Sequence, residues 1–166
     1  NLKNNRANIL RKKNINIIKS DLITTSSSDW KKILDEVDLV IHLAAYANPR
    51  HSLEYQQLYI DNNITGTNKL IEALEQNNIN KVIYASSSCV MHGQELPWKE
   101  SDSPKHQNNP YGWSKRVNEC QFKHSNITQT IGLRFFTVYG SYGRPDMALF
   151  SFTKNIVEEK GIHLYN

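Results

Sequence analysis

Apolar residues in this 166-residue chain fall into short continuous runs, separated by stretches where they recur every third or fourth position. Ile15-Asn16-Ile17-Ile18, Leu39-Val40-Ile41-His42-Leu43, Lys81-Val82-Ile83-Tyr84-Ala85 and Thr130 to Phe136 read as strands. The run at 39–43 lacks polar alternation, the pattern of a strand covered on both faces. Between the strands, Trp30, Ile33, Leu34 and Val37 recur at helical spacing, with Asp29 placed to cap their helix. Leu70, Ile71 and Leu74 form one stripe on a long helix spanning Asn63 to Asn77. After an irregular polar stretch with several prolines (94–110), Asn109-Pro110 opens a helix whose first turn holds Tyr111. The alternation predicts an α/β fold, a doubly wound parallel sheet with helices on both sides. No internal repeat or low-complexity linker interrupts it.

Composition narrows the classes. Hydrophobic content of 39% with 22% charged residues is that of a globular chain, and 166 residues suffice for one domain's core. The two cysteines, Cys89 and Cys120, offer neither a disulfide framework nor paired metal-ligand spacing, which fits the reducing cytoplasm. The six histidines are dispersed, so no metal is expected. No apolar run approaches the roughly 18 residues that cross a bilayer, and Asn1 to Asn8 lack the apolar core of a signal peptide. Lys3, Arg6, Arg11, Lys12 and Lys13 bunch near the start within a formal charge of +4. Without interleaved aromatic residues to stack bases, they read as a solvated helix face rather than a nucleic-acid surface.

Candidate chemistry lies in two places. Tyr111-Gly112-Trp113-Ser114-Lys115 sets a phenol and an ammonium four residues apart, on one helix face. The lysine charge favours phenolate and so prepares the tyrosine to exchange a proton near neutral pH. Ser86-Ser87-Ser88 follows the strand 81–85, at the carboxyl end where parallel sheets bind ligands. A serine there can hold the substrate oxygen whose proton the tyrosine takes. Together these groups suit oxidation of an alcohol, given a hydride acceptor. A half-buried tyrosine beside a surface lysine is the plain alternative.

Five motifs in order carry a resemblance over nearly the whole chain: Val-Ile-His-Leu-Ala-Ala (40–45), Asp-Asn-Asn-Ile-Thr-Gly-Thr (61–67), Ser-Ser-Ser-Cys-Val-Met-His-Gly (86–93), Pro-Tyr-Gly-Trp-Ser-Lys (110–115) and Gly-Leu-Arg-Phe-Phe-Thr-Val-Tyr-Gly (132–140). The chain resembles the extended short-chain dehydrogenase/reductases, the NAD-dependent sugar-nucleotide epimerases and dehydratases. Gly132 to Ala148, including Gly143-Arg144-Pro145-Asp146-Met147-Ala148, is most similar to the UDP-glucuronate 4-epimerase branch. The resemblance implies a Rossmann-like domain beginning after the family's first βαβ unit, since no glycine-rich pyrophosphate turn occurs. It also implies that most of the substrate domain lies beyond residue 166, with that region starting near 137.

By the same resemblance Ser88, Tyr111 and Lys115 are catalytic. NAD is the cofactor, with Asp21 and Leu22 at the adenine and Leu43, Ala44, Ala45, Asn62, Tyr111, Lys115 and Phe135 among its contacts. Asp21 equally suits a turn-forming role, Ala44 and Ala45 tight packing, and Asn62 and Asn63 a helix cap. Asn63 corresponds to an asparagine that ties down a strand end. Arg50, Ser88, Cys89, Thr137 and Arg144 fall at positions around the sugar and diphosphate; either arginine could instead be solvated. A homodimer through helices 63–77 and 111–124 is implied too, with Trp113, Val117, Cys120 and Phe122 making the second helix more apolar than one core stripe requires.

Two departures bear on the substrate. Cys89 and Val90 stand where the glucuronate epimerases place hydroxyls for the sugar carboxylate, and His92 replaces a tyrosine. Dehydratases of this fold need an acid–base pair directly after the catalytic hydroxyl, and Cys89-Val90 supplies no carboxylate. The expectation is therefore C4 epimerisation of a nucleotide sugar, with a 4,6-dehydratase or a non-catalytic binding module as the alternatives.

Overall fold

Three parallel strands, β1 (Val40–His42), β2 (Lys81–Ser87) and β3 (Gln129–Phe135), form a sheet in that spatial order. Val40 pairs with Val82 and His42 with Tyr84 on one side of β2, and Lys81 pairs with Gln129 through to Ser87 with Phe135 on the other. The structure, a computed structural model, describes residues 2–104 and 106–163, without the Leu2 side chain. Two compact bodies result: Ile18–Phe136, which holds the sheet, and Asn1–Ile17 with Thr137–Asn166.

In the larger body, Val82 and Tyr84 point to a core built with Trp30, Leu70, Leu74 and Phe122. Leu74 and Phe122 are almost fully buried, each worth about 1.5–3 kcal/mol on hydrophobic transfer. Tyr84 stacks on Phe122 at 4.2 Å. On its other side Gly132 lets the ring lie flat, because a Cβ there would stand 2.5 Å from the Tyr84 ring. The core rests on α2 (Ser27–Ile33), α5 (Gly66–Gln76) and α6 (Pro110–Lys123).

The expected α/β fold, a parallel sheet with flanking helices, is present, and among the described residues one face of the sheet is left largely open. Ile41, Ile131, Leu133 and Phe135 alternate with the core-facing positions and stay 38–59% exposed. The expected strand at 15–18 is irregular, with Ile15 and Ile18 exposed at 47% and 56%. An apolar run becomes a strand only where a partner edge takes up its backbone hydrogen bonds. The cap of α2 is Ser26 rather than Asp29: its hydroxyl accepts from the Asp29 N–H and donates to the Asp29 carboxylate, a reciprocal cap in which Asp29 is the third helical residue. The long helix is longer than expected. It runs from α4 (Gln56–Tyr59) through a π-helical turn, Ile60–Thr65, into α5.

The smaller body holds α1 (Leu2–Lys12), which carries the expected basic face, and α7 (Ala148–Val157). The Arg6 guanidinium donates to the Gly143 carbonyl at 3.2 Å.

Candidate active site

The carboxyl end of β2 sorts the three serines by what their hydroxyls do. Ser86 Oγ donates to the Glu119 carboxylate at 2.6 Å. Ser87 Oγ caps the following 3₁₀ turn, Ser88–Met91, by accepting from the Cys89 N–H at 3.2 Å. Both are buried. Ser88, half-buried, makes no side-chain hydrogen bond with any described residue. Its hydroxyl is the one left to a ligand.

Helix α6 brings the other two groups to that turn. Asn109 caps it by accepting from the Gly112 N–H at 2.8 Å, and Pro110 fills the first position, where no N–H is needed. The Tyr111 N–H, otherwise an orphan of the first turn, donates to the fully buried Ser52 Oγ at 3.1 Å. Ser52 belongs to the short helix α3 (Pro49–Glu54). The Tyr111 ring meets Tyr59 edge-on at 6.3 Å. Tyr59 is fixed in turn, donating to the Asn48 carbonyl at 2.8 Å. Gly112 sits directly on the Ser88–Met91 turn: a Cβ there would lie 2.9 Å from the Cys89 carbonyl oxygen.

One turn further on, Lys115 is 2% exposed and donates to the Ala85 carbonyl at 2.9 Å. Burial pulls its pKa down to about 8. An ammonium has three donors, so two remain for another oxygen. Beneath it, His42 bonds to Thr67 through Nε2 at 3.1 Å and is held neutral, its pKa pulled down to about 4 by burial and by the Lys115 charge.

Asn63, at 0% exposure in the π-helical turn, binds Tyr46 both ways: it accepts from the Tyr46 N–H at 2.8 Å and donates to the Tyr46 carbonyl at 3.0 Å. The same amide nitrogen donates to Ser114 Oγ at 2.9 Å, and Asn118 donates to the Asn63 carbonyl. The segment beyond β1 is thereby locked to α6. A π turn widens the helix where these side chains must reach sideways, and such turns concentrate at functional sites.

Beside this lock a cavity of about 220 Å³ is lined by Asp21, Leu22, Ile23, Ala44, Ala45 and Asn62. It joins five of the positions expected at the cofactor. One Asp21 oxygen accepts from the Ile23 and Thr24 N–H groups, so the turn-forming role is real and leaves the second oxygen facing other uses. Asn62 donates to the Leu58 carbonyl within its own helix. An acidic acceptor, a leucine and small strand-end residues suit the amino edge and flat face of an adenine. The chain therefore fits this part of a dinucleotide.

Other expected residues stand apart. Leu43 and Phe135, 61% and 40% exposed, are at strand ends outside that cavity. Arg50 is exposed on α3 and Cys89 half-buried in the 3₁₀ turn. Thr137 and Arg144 belong to the smaller body, where both line a cavity of about 410 Å³ with α7; Arg144 is paired with Asp146. On α6 the apolar excess is uneven: Phe122 is core, whereas Trp113 is 45% exposed and Cys120 exposed. Among the described residues no group of three His, Cys, Asp or Glu could hold a metal, and no helix is long and apolar enough to cross a membrane.

Sequence reasoning missed Ser52, Tyr59, His42, Gly112 and the Glu119–Arg134 pair. Gly112 inside a helical pattern was the one readable signal, since an interior glycine costs about 1 kcal/mol against alanine and asks for a packing reason. The others are tertiary contacts between residues far apart in the chain.

The parallel strand order, the flanking helices and the cavity at the carboxyl end of β1 are those of a Rossmann-like α/β domain. The chain belongs to the NAD dependent epimerase/dehydratase family, whose pattern it matches over residues 1–166. It is 37% identical to UDP-glucuronate 4-epimerase 1 of Arabidopsis thaliana, over 99% of this chain and 39% of that protein. It superposes with a TM-score of 0.78 and 34% identity on UDP-glucuronic acid 4-epimerase from Bacillus cereus, solved with UDP-glucuronic acid and NAD, over 91% of this chain and 49% of the other. A UDP-N-acetylglucosamine 4-epimerase from Methanobrevibacter ruminantium, solved with UDP-N-acetylmuramic acid, gives 0.82 and 33%, over 92% and 51%. The chain spans about half or less of these relatives' length.

Proposed function

We propose that the protein epimerises a nucleotide sugar at C4, with Ser88, Tyr111 and Lys115 as its catalytic residues. The observation that carries this reading is the sorting of the serines: Ser86 and Ser87 are spent on the fold, and Ser88 alone keeps its hydroxyl beside the turn on which the Tyr111 helix rests. Ser88 holds the C4 oxygen and Tyr111 takes its proton as the carbon is oxidised, then returns it. Lys115, with two donors to spare, orients oxygens and its charge favours the phenolate. NAD, when bound, would supply a hydride acceptor and donor for C4, so that the carbon can be oxidised and then reduced on its opposite face. Asp21, Leu22, Ala44, Ala45 and Asn62 would hold its adenosine end.

Cys89 follows Ser88 with no carboxylate, which supports epimerisation over elimination of water. Positions 89 and 90 also carry no hydroxyl for a sugar carboxylate, so a neutral UDP-hexose is as compatible as a UDP-uronate. Thr137 and Arg144, sharing one cavity of the smaller body, are assigned to the sugar and diphosphate, and Arg50 of the larger body is assigned to them separately by its motif position. The exposed Trp113 and Cys120 suit a two-fold pairing of α5 and α6 between copies, which sedimentation of the full-length protein at micromolar concentration checks.

Tyr111→Phe in the full-length protein tests the central assignment. Turnover should fall about 10²- to 10⁴-fold with nucleotide-sugar binding kept, and Lys115→Ala should raise the pKa of the activity profile. Near-normal turnover of Tyr111→Phe rejects the reading.

A further inference from the structure

One carboxylate on α6 holds β2 and β3 together beside Ser88. Glu119 lies one helical turn after Lys115 on α6, and its side chain is 10% exposed. Arg134, on β3, grips it with two nitrogens, Nε to Oε1 at 2.9 Å and Nη2 to Oε2 at 3.0 Å. Ser86, two residues before Ser88, donates to Oε1 at 2.6 Å, and Arg116 donates to Oε2 at 2.9 Å. The remaining Arg134 nitrogen reaches the Met91 sulfur at 3.1 Å and the carbonyls of Glu100 and Asp102 at 3.3 and 3.5 Å. Met91 closes the 3₁₀ turn that Ser88 opens.

We infer that Arg134, acting through Glu119, is a positioning residue that sets the spacing between Ser88 and the Tyr111–Lys115 helix. The inference rests on the catalytic reading of those three residues. A cation kept only to neutralise Glu119 could be a lysine, and Arg116 already supplies one. Here the planar fork is used in full: two parallel bonds fix the angle of α6 to β3, and the third nitrogen anchors the turn and the Glu100 and Asp102 carbonyls. The carboxylate is held ionised: burial works to raise its pKa, but hydrogen bonds from Arg134, Ser86 and Arg116 outweigh it and bring it below the usual range. The Lys115–Ala85 bond is a second tie between α6 and β2. It uses a group that must also serve the reaction, so of these two polar ties the Glu119 one is free of catalytic duty. A misplacement of about 1 Å at a catalytic group can cost of order 10²-fold in rate.

The test is Arg134→Lys in the full-length, NAD-loaded protein, which keeps the charge and removes the fork. We expect kcat to fall about tenfold or more, with KM for the nucleotide sugar and NAD affinity within about twofold. In a Ser88→Ala background the same change should lower kcat by less than about twofold, since the geometry it protects has lost its object. Ser86→Ala deletes only one hydroxyl and should lower kcat in the same manner by about threefold; it serves if Arg134→Lys does not fold. A kcat within twofold of wild type for the variant that folds, or reductions that simply multiply with Ser88→Ala, overturns the inference alone. If Ser88→Ala itself keeps full turnover, the catalytic reading fails and takes the inference with it.

Discussion

Gly112 lies against Cys89 so closely that a Cβ would stand 2.9 Å from the Cys89 carbonyl oxygen and 3.3 Å from its Cβ. This contact fixes how near the Tyr111 helix comes to the Ser88 turn. The glycine adopts ordinary helical geometry, so what the position demands is space, not a special φ.

Gly112→Ala should therefore push α6 off the turn. The obstacle is backbone on one side and helix on the other, so no flexible side chain can yield. Turnover in the full-length protein should drop at least about tenfold, in keeping with a shift of order 1 Å at catalytic groups, although alanine favours helix by about 1 kcal/mol. Steady-state kinetics beside a thermal melt checks both signs.

Lys115 carries a stability cost with a defined pH window. Its pKa is lowered from 10.5 to about 8 by burial, so between those values the unfolded chain binds more protons and stability rises with pH. At pH 7 the full cost is present, of order 3 kcal/mol. Lys115→Met should be more stable than wild type at pH 7, and the gap should close between pH 8 and 10.5. Tyr84, whose pKa is raised to about 12 by burial and by Glu119, acts oppositely above pH 10 in both proteins and cancels in the difference. Urea unfolding at a series of pH values measures it.

His42 sets the acid side. With its pKa lowered from 6.5 to about 4, folding excludes a proton that the unfolded chain takes up. Stability should fall as pH drops from about 6.5 to about 4, by up to about 3 kcal/mol. His42→Gln can keep a bond to Thr67 without titrating, and should flatten that slope in the same unfolding series.

Asn63→Ala removes both bonds to the Tyr46 backbone and one of the two bonds of Ser114 Oγ, which keeps the Tyr111 carbonyl. A lost hydrogen bond costs about 0.5–1.5 kcal/mol net, so three of them give a loss of roughly 2–4 kcal/mol, read as a lower urea midpoint. Because the lock also lines up α6 with the cavity around Asp21 and Asn62, NAD affinity of the full-length protein should weaken in parallel, by isothermal titration.

Local periodicity was enough to place β2, β3, the α5 stripe and the Asn109-Pro110 start of α6, because strand alternation, helical spacing and caps are short-range properties written in neighbouring residues. Motif order was enough to place the family, and Asp21, Leu22, Ala44, Ala45 and Asn62 do line one cavity. The run at 15–18 has the same local signature as β1 and yet is irregular, since pairing depends on an edge supplied from elsewhere. Which of three adjacent serines keeps a free hydroxyl was likewise undecidable in one dimension: Glu119 and the Cys89 amide settle it, one from 33 residues away across the fold. The burial of Lys115 and His42, and the grip of Arg134 on Glu119, are products of packing between distant segments. Desolvation and hydrogen-bond geometry exist only once those segments meet.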